Sequence, residues 1–179
     1  MLKMFSTQTT GLFKKIMDGE EFAFEDCARL LAQASIGDGT IYLHGFGEMK
    51  GILSEAFEGV EPFPNVMVLY DDNEELASLT NADRVLFFTR SSDDSEALSL
   101  AKYLQEEGVP FTAVSTLVPS SGLSLDELAD VHIDLRLQKG LVPDDNGKRV
   151  GFPSLMVALF AYYGIRFTLD EILQEYGEE

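Results

Sequence analysis

"RVLFFTRSSDDSEALSLAKYLQEEGVPFTAVST", residues 84–116, decides the fold. The run at 84–89 and the run at 111–116 are apolar without alternation, so each reads as a strand buried on both faces. Between them Ala97, Leu98, Ala101 and Leu104 recur at helical spacing over 94–107, and Gly108 stands where a C-cap belongs. A strand, a helix and a second strand predict a right-handed crossover and a parallel pair.

The same alternation extends in both directions. "TIYLHG" (40–45), "NVMVLY" (65–70) and "DVHIDL" (130–135) are further strand runs, with helical stretches expected between them. Five strands separated by helices predict a doubly wound α/β sandwich with a parallel sheet over 40–135. Ahead of it, Leu2, Phe5, Thr9, Leu12, Phe13 and Ile16 mark one amphipathic helix, and Cys27, Leu30, Leu31 and Ala34 a second. These N-terminal helices occupy 1–36, and "IGDG" (36–39) stops the second. At the other end, 151–176 reads as two helices, "GFPSLMVALFAYYGIRF" followed by "TLDEILQEYGEE". Phe152, Leu155, Met156, Leu159, Phe160, Tyr162 and Tyr163 surround the first almost completely, which implies burial in the core or against a partner. Only 138–149, "QKGLVPDDNGKR", reads as a long loop, and no linker divides residues 1–179 into two domains.

Composition narrows the functions available. The 179 residues include 13 Lys+Arg against 31 Asp+Glu, a net charge of −18. Such a field repels nucleic acid and anionic membranes, so neither is an expected partner. With 45% hydrophobic residues the chain fills a core. Cys27 is the only cysteine, which excludes an intrachain disulfide, and with only His44 and His132 beside it no metal site is expected. No window reaches the roughly 20 apolar residues of a membrane span, and the start lacks a signal-peptide core. A reduced, cytoplasmic setting is the expectation.

Two loops carry candidate chemistry. In "IYLHGFGEMKGILSEAF" (41–57) a strand meets Gly45 and Gly47 and turns into a helix, an arrangement that gathers backbone N–H groups for an anion. Gly45, Gly47 and Gly51 are spaced one residue too widely for a dinucleotide fingerprint, and although Asp71 and Asp72 end the second strand, no cofactor is expected. In "TRSSDDSEAL" (89–98) hydroxyls and N–H groups suit a phosphate. The same stretch fits a capping box, Ser91 with Asp94 or Asp93 with Glu96, and both aspartates would repel a phosphate. His44 and His132 lie in strand patterns, where a histidine is usually a packing residue, but His44 directly precedes the glycine turn. Lys139, Lys148 and Arg149 flank the long loop, either as charge for an anion site or as partners of Asp144 and Asp145.

Taken together, "HGFGEM", "FFTRSSDDSEALSLAKYLQEEGVPFTAVST" and "ADVHIDL" in this order resemble the sugar isomerase (SIS) domain, with phosphoheptose isomerase the nearest named type. The segment "LVPD…GFPSLM" is similar to that of uncharacterised bacterial SIS-like proteins. The resemblance implies a flavodoxin-like three-layer sandwich, a homodimer, and a phosphosugar or similar small anion held in the loops after the first and third strands. It places Gly45 and Gly47 in a G-x-G-x-S loop, with Met49 where the serine belongs, and Thr89 and Ser91 in an S-T-S-G-x-S loop, with Arg90 and Ser92 as departures. The implied ligand set is Gly45, Gly47, Thr89, Ser91, Ser92 and Ser95, with Lys139 and Arg149 as added charge. Glu58 lies nearest the family's glutamate, Glu48 and His44 are the other acid–base candidates, and no histidine follows His132. Two expectations result: a phosphosugar-binding protein with degenerate isomerase machinery, or a non-catalytic dimeric scaffold or regulator.

Overall fold

The computed structural model describes residues 1–119 and 121–177; Glu178 and Glu179, which the sequence reading assigns to the last helical stretch, lie outside the described residues. Five parallel strands, β1 (Ile41–Gly45), β2 (Val66–Val68), β3 (Arg84–Ser91), β4 (Phe111–Thr116) and β5 (Val131–Asp134), form one sheet in the order β2-β1-β3-β4-β5. The α/β sandwich expected from the sequence is thus present. Central β3 and β4 have the fullest burial: Val85 to Phe88 and all six residues of β4 are inside. That is why their apolar runs do not alternate. Strand β2 is one of the two edges, and its Met67 and Val68 are exposed.

Two apolar clusters cover the two faces of the sheet. On one, α2 (Glu21–Ile36), α3 (Gly51–Glu58) and α6 (Ser154–Gly177) pack over Leu43, Leu86, Phe88 and Val114. On the other, α4 (Ser95–Glu106) and α5 (Leu125–Leu128) pack over Val85, Phe87, Phe111 and Ala113, with Phe87 and Phe111 stacked at 5.6 Å. Helix α1 (Leu2–Gly19) contributes Leu12 and Ile16 to the first cluster. Cys27 is enclosed on the buried face of α2, where burial pushes its thiol pKa up to about 12 and leaves it unreactive.

Three expectations are corrected. The C-terminal segment is one helix, not two: α6 runs unbroken through the expected boundary at Phe167 and Thr168, where the Thr168 hydroxyl donates to the Gly164 carbonyl at 2.9 Å instead of capping a new helix. A Cβ at Gly164 would lie 2.9 Å from the Phe24 ring, so glycine lets α2 and α6 approach closely. Second, no helix connects β2 to β3. The Asp71 carboxylate accepts the N–H groups of Asn73 and Glu75 at 2.8 and 2.9 Å, and Ala77 pairs back to Leu69, so turn chemistry overrides helix formation. Third, 138–149 is no plain loop, since β6 (Val142–Pro143) pairs antiparallel with β7 (Arg149–Val150). Asp144 accepts the N–H groups of Asn146 and Lys148, and Gly147 takes φ +77° to close this hairpin.

Candidate functional site at the strand C-termini

The strand order reverses direction between β1 and β3, and in open α/β sheets the crevice outside the strand C-termini at that point is where ligands bind. The chain fills much of this crevice itself. Phe46 N–H donates to the Phe88 carbonyl at 2.9 Å, extending the β1–β3 pairing into the loops. Beyond it the Arg90 guanidinium grips the Glu48 carboxylate bidentately, Nε to Oε1 and Nη2 to Oε2, both at 2.8 Å. Arg90 holds the Glu48 carboxyl below its usual range, so this pair is charged at neutral pH. With the two side chains 69% and 35% exposed, the pair orders the loops more than it stabilises the fold.

The two glycines serve different ends. A Cβ at Gly45 would lie 2.2 Å from the Met49 carbonyl oxygen, so the room Gly45 makes is taken by the protein's own 3-10 turn, Gly47–Lys50. Gly47 has φ +53° with open space where a Cβ would go, and it faces solvent-accessible volume. Met49, at the position the resemblance gives to a phosphate-binding serine, points into the core and is fully buried.

The hydroxyls of the third-strand loop are largely committed. Thr89 is buried. Ser92 is enclosed and bonded three ways: its N–H to the Thr116 carbonyl, its Oγ from the Val118 N–H and its carbonyl from the Leu125 N–H. Ser91 Oγ donates to Asp93 at 2.7 Å. Neither capping-box pairing proposed from the sequence forms; Asp94 itself is the N-cap, accepting the Ala97 N–H at 2.9 Å. Ser95 alone of this set is exposed, in the first turn of α4, where its carbonyl accepts the Ser99 hydroxyl at 2.9 Å.

An open cleft of about 890 Å³ lies beside this crevice, on the α4 face of the sheet. β1 alternates, so Tyr42 and His44 point to the α4 side while Ile41 and Leu43 enter the opposite core. His44 therefore reaches the cleft floor, between Phe46 (4.6 Å, edge-on) and Tyr70 (4.8 Å). Burial, reinforced by the nearby Lys50 charge, lowers its pKa to about 4, so the ring is neutral at pH 7. Gly47 and Lys50 form one wall, Tyr70 and Asp71 a second, and Glu96, Ser99 and Tyr103 of α4 a third. Lys50 is the single lysine or arginine lining it among the described residues.

Of the acid–base candidates, only His44 lines this cleft. Glu48 is tied to Arg90 and borders a separate depression with Phe152 and Met156, and Glu58 ends α3 exposed to solvent. His132 accepts or donates to Ser115 Oγ at 2.8 Å inside the sheet, the packing role expected of a strand histidine. Lys139 and Arg149 lie in a different hollow, against α1. Sequence reasoning missed Lys50, Tyr70, Ser99 and Tyr103. Tyr70 had a signal, since it follows a strand C-terminus, and Glu96, Ser99 and Tyr103 share one helix face by their spacing.

Comparison with known proteins places this geometry. The chain belongs to the family described as Domain of unknown function (DUF2529), whose model matches residues 1–173. A DUF2529 relative, the uncharacterized protein YwjG of Bacillus subtilis (strain 168), is 48% identical over 177 residues, covering 99% of this chain and all of that protein. The DUF2529 chain is also similar in structure to an Escherichia coli CFT073 protein solved in complex with arabinose 5-phosphate (TM-score 0.67, 15% identity, 97% of this chain and 89% of that one). It is similar to a Methanococcus jannaschii protein whose structure is described as inferring a 3-hexulose-6-phosphate isomerase function (TM-score 0.63, 13% identity, 98% and 90%). A phosphoheptose isomerase from Francisella tularensis matches at TM-score 0.54 and 16% identity over 83% of each chain. The DUF2529 fold is therefore that of the SIS-domain phosphosugar isomerases, as the sequence motifs suggested.

Proposed function

We propose that this protein binds a small monophosphorylated sugar in the His44 cleft and does little or no isomerisation of it. The observation that carries the reading is the pairing of a neutral His44 with a lone cation, Lys50, in an aromatic-walled cleft at the strand C-termini. Lys50 takes the phosphate end, the rings of Phe46, Tyr70 and Tyr103 cover the apolar faces of the sugar, and Glu96 and Ser99 accept from its hydroxyls. The arabinose 5-phosphate complex of the Escherichia coli protein supports a phosphosugar as the ligand class for this fold.

The same cleft argues against efficient turnover. Moving a proton between adjacent sugar carbons needs a base matched to the working pH and an acid for the oxygen. A histidine with a pKa of about 4 is a poor acceptor for a carbon-bound proton, neither Glu48 nor Glu58 lines the cleft, and the carboxylates that do are bound to their own turn (Asp71) or exposed on the walls (Glu74 and Glu96). These departures equally favour a second reading, a regulator or scaffold that retains the sugar site without chemistry.

Thermal-shift measurements with arabinose 5-phosphate and sedoheptulose 7-phosphate, each beside its unphosphorylated sugar, test the binding. A phosphate-dependent rise in Tm that shrinks in Lys50→Gln is expected; the absence of any phosphate-dependent shift refutes the site. A coupled assay should find negligible conversion of sedoheptulose 7-phosphate. Robust turnover abolished by His44→Gln would restore an isomerase.

A further inference from the structure

We infer that a second anion site, separate from the His44 cleft and fitted to a small phosphate-bearing ligand, lies between α1 and the β6–β7 hairpin. A hollow of about 390 Å³ opens there, within the size range of small-molecule sites. Lys15 enters it from α1, Lys139 from the segment after β5 and Arg149 from β7. Three elements far apart in sequence thus bring three cations to one place.

What makes this convergence informative is the charge of the rest of the chain. There are 13 basic and 31 acidic residues, yet no carboxylate lines this hollow among the described residues. Arg29, Arg90, Arg136 and Arg166 are in ion pairs; Lys15, Lys139 and Arg149, like several surface lysines, are in none among the described residues, but only these three gather in one hollow free of carboxylates. The pairing with Asp144 and Asp145 that the sequence allowed does not form, because Asp144 is bonded to its own turn. Like charges held together without a counter-ion repel, and a bound dianion relieves that repulsion.

The surroundings are ordered for the task. Arg136 also borders the hollow, with backbone φ +55°, its N–H held by Asp134 and its guanidinium by the buried Glu20, so its charge is already balanced. Gly140 lines the hollow with its backbone close against β7, since a Cβ there would lie 2.6 Å from the Val150 backbone. Thr7 and Gln8 add neutral polar groups at the rim. A net charge of −18 disfavours long polyanions, so the ligand is a small free phosphate or phosphate monoester rather than nucleic acid or a membrane.

Isothermal titration of the full chain with inorganic phosphate at fixed ionic strength tests this. Saturable binding is expected, weakened at least tenfold in Lys139→Gln/Arg149→Gln and unchanged in Lys102→Gln, an exposed lysine on α4 outside the hollow. Lys50→Gln removes only the contribution of the sugar cleft, so saturable phosphate binding that persists in Lys50→Gln and is lost in Lys139→Gln/Arg149→Gln separates the two sites. No saturable binding overturns the inference, as does an equal loss in Lys102→Gln, which would mean diffuse charge attraction. Loss confined to Lys50→Gln would assign the phosphate to the His44 cleft and also overturn it.

Discussion

Gly45→Ala separates two explanations of the glycine turn. If Gly45 exists to admit a ligand, alanine blocks binding and leaves stability alone. The structure argues otherwise, since the new methyl would sit 2.2 Å from the Met49 carbonyl oxygen and 2.5 Å from its carbon. These are backbone atoms and cannot swing aside. The 3-10 turn must shift, straining the 2.9 Å bond from Met49 N–H to the Phe46 carbonyl and lifting the fully buried Met49 side chain. Overpacking costs about 1–3 kcal/mol and the lost hydrogen bond about 1 kcal/mol, so a loss of about 2–4 kcal/mol is expected. For a chain of this size that lowers Tm by about 5–15 °C. Urea denaturation followed by far-UV circular dichroism reads the change as a lower midpoint at unchanged slope. Gly47→Ala is the internal control: its Cβ meets nothing, so only the φ of +53° is penalised, by about 1–2 kcal/mol. A Gly45→Ala protein as stable as wild type would refute the steric account.

Two other outcomes follow from the same geometry. His44 has a folded pKa of about 4 against the usual 6.5, so the unfolded chain binds the extra proton and stability falls as pH drops from about 6.5 to 4. Solvent screening of a half-buried ring trims this to about 1–2 kcal/mol, and the difference between wild type and His44→Gln over that window, in parallel urea titrations, should show it; identical pH profiles would remove His44 as the cause. A homodimer is proposed, because Met17, Phe22 and Phe167 remain exposed along the α1–α2–α6 side, and sedimentation velocity at micromolar concentration checks it, a concentration-independent monomer counting against it.

Local pattern determined the strands of this protein, and the reason is burial. β4 spans the run read from the sequence, 111 to 116, because a strand enclosed on both faces buries its small hydroxyl residues Thr112, Ser115 and Thr116 along with its apolar ones and so shows no alternation. The order of strands and helices, read through the handedness of crossovers, then made the parallel sheet legible, and the loop motifs made the SIS resemblance legible. What each loop residue does was settled only by tertiary contacts. Ser92 and Ser95 look interchangeable in "TRSSDDSEAL", yet one is locked between two strand loops and the other is open to solvent. Glu48 reads as a free base until the fold sets it against Arg90, 42 residues away. Gly164 carries no sign in the sequence of its role until α2 brings Phe24 against it. Lys15, Lys139 and Arg149 are scattered cations until α1 and a hairpin face each other. Periodicity reports which side of an element is buried, because burial acts on each element as a whole. It carries no record of which distant side chain arrives opposite, and on this protein that is what divides structural groups from available ones.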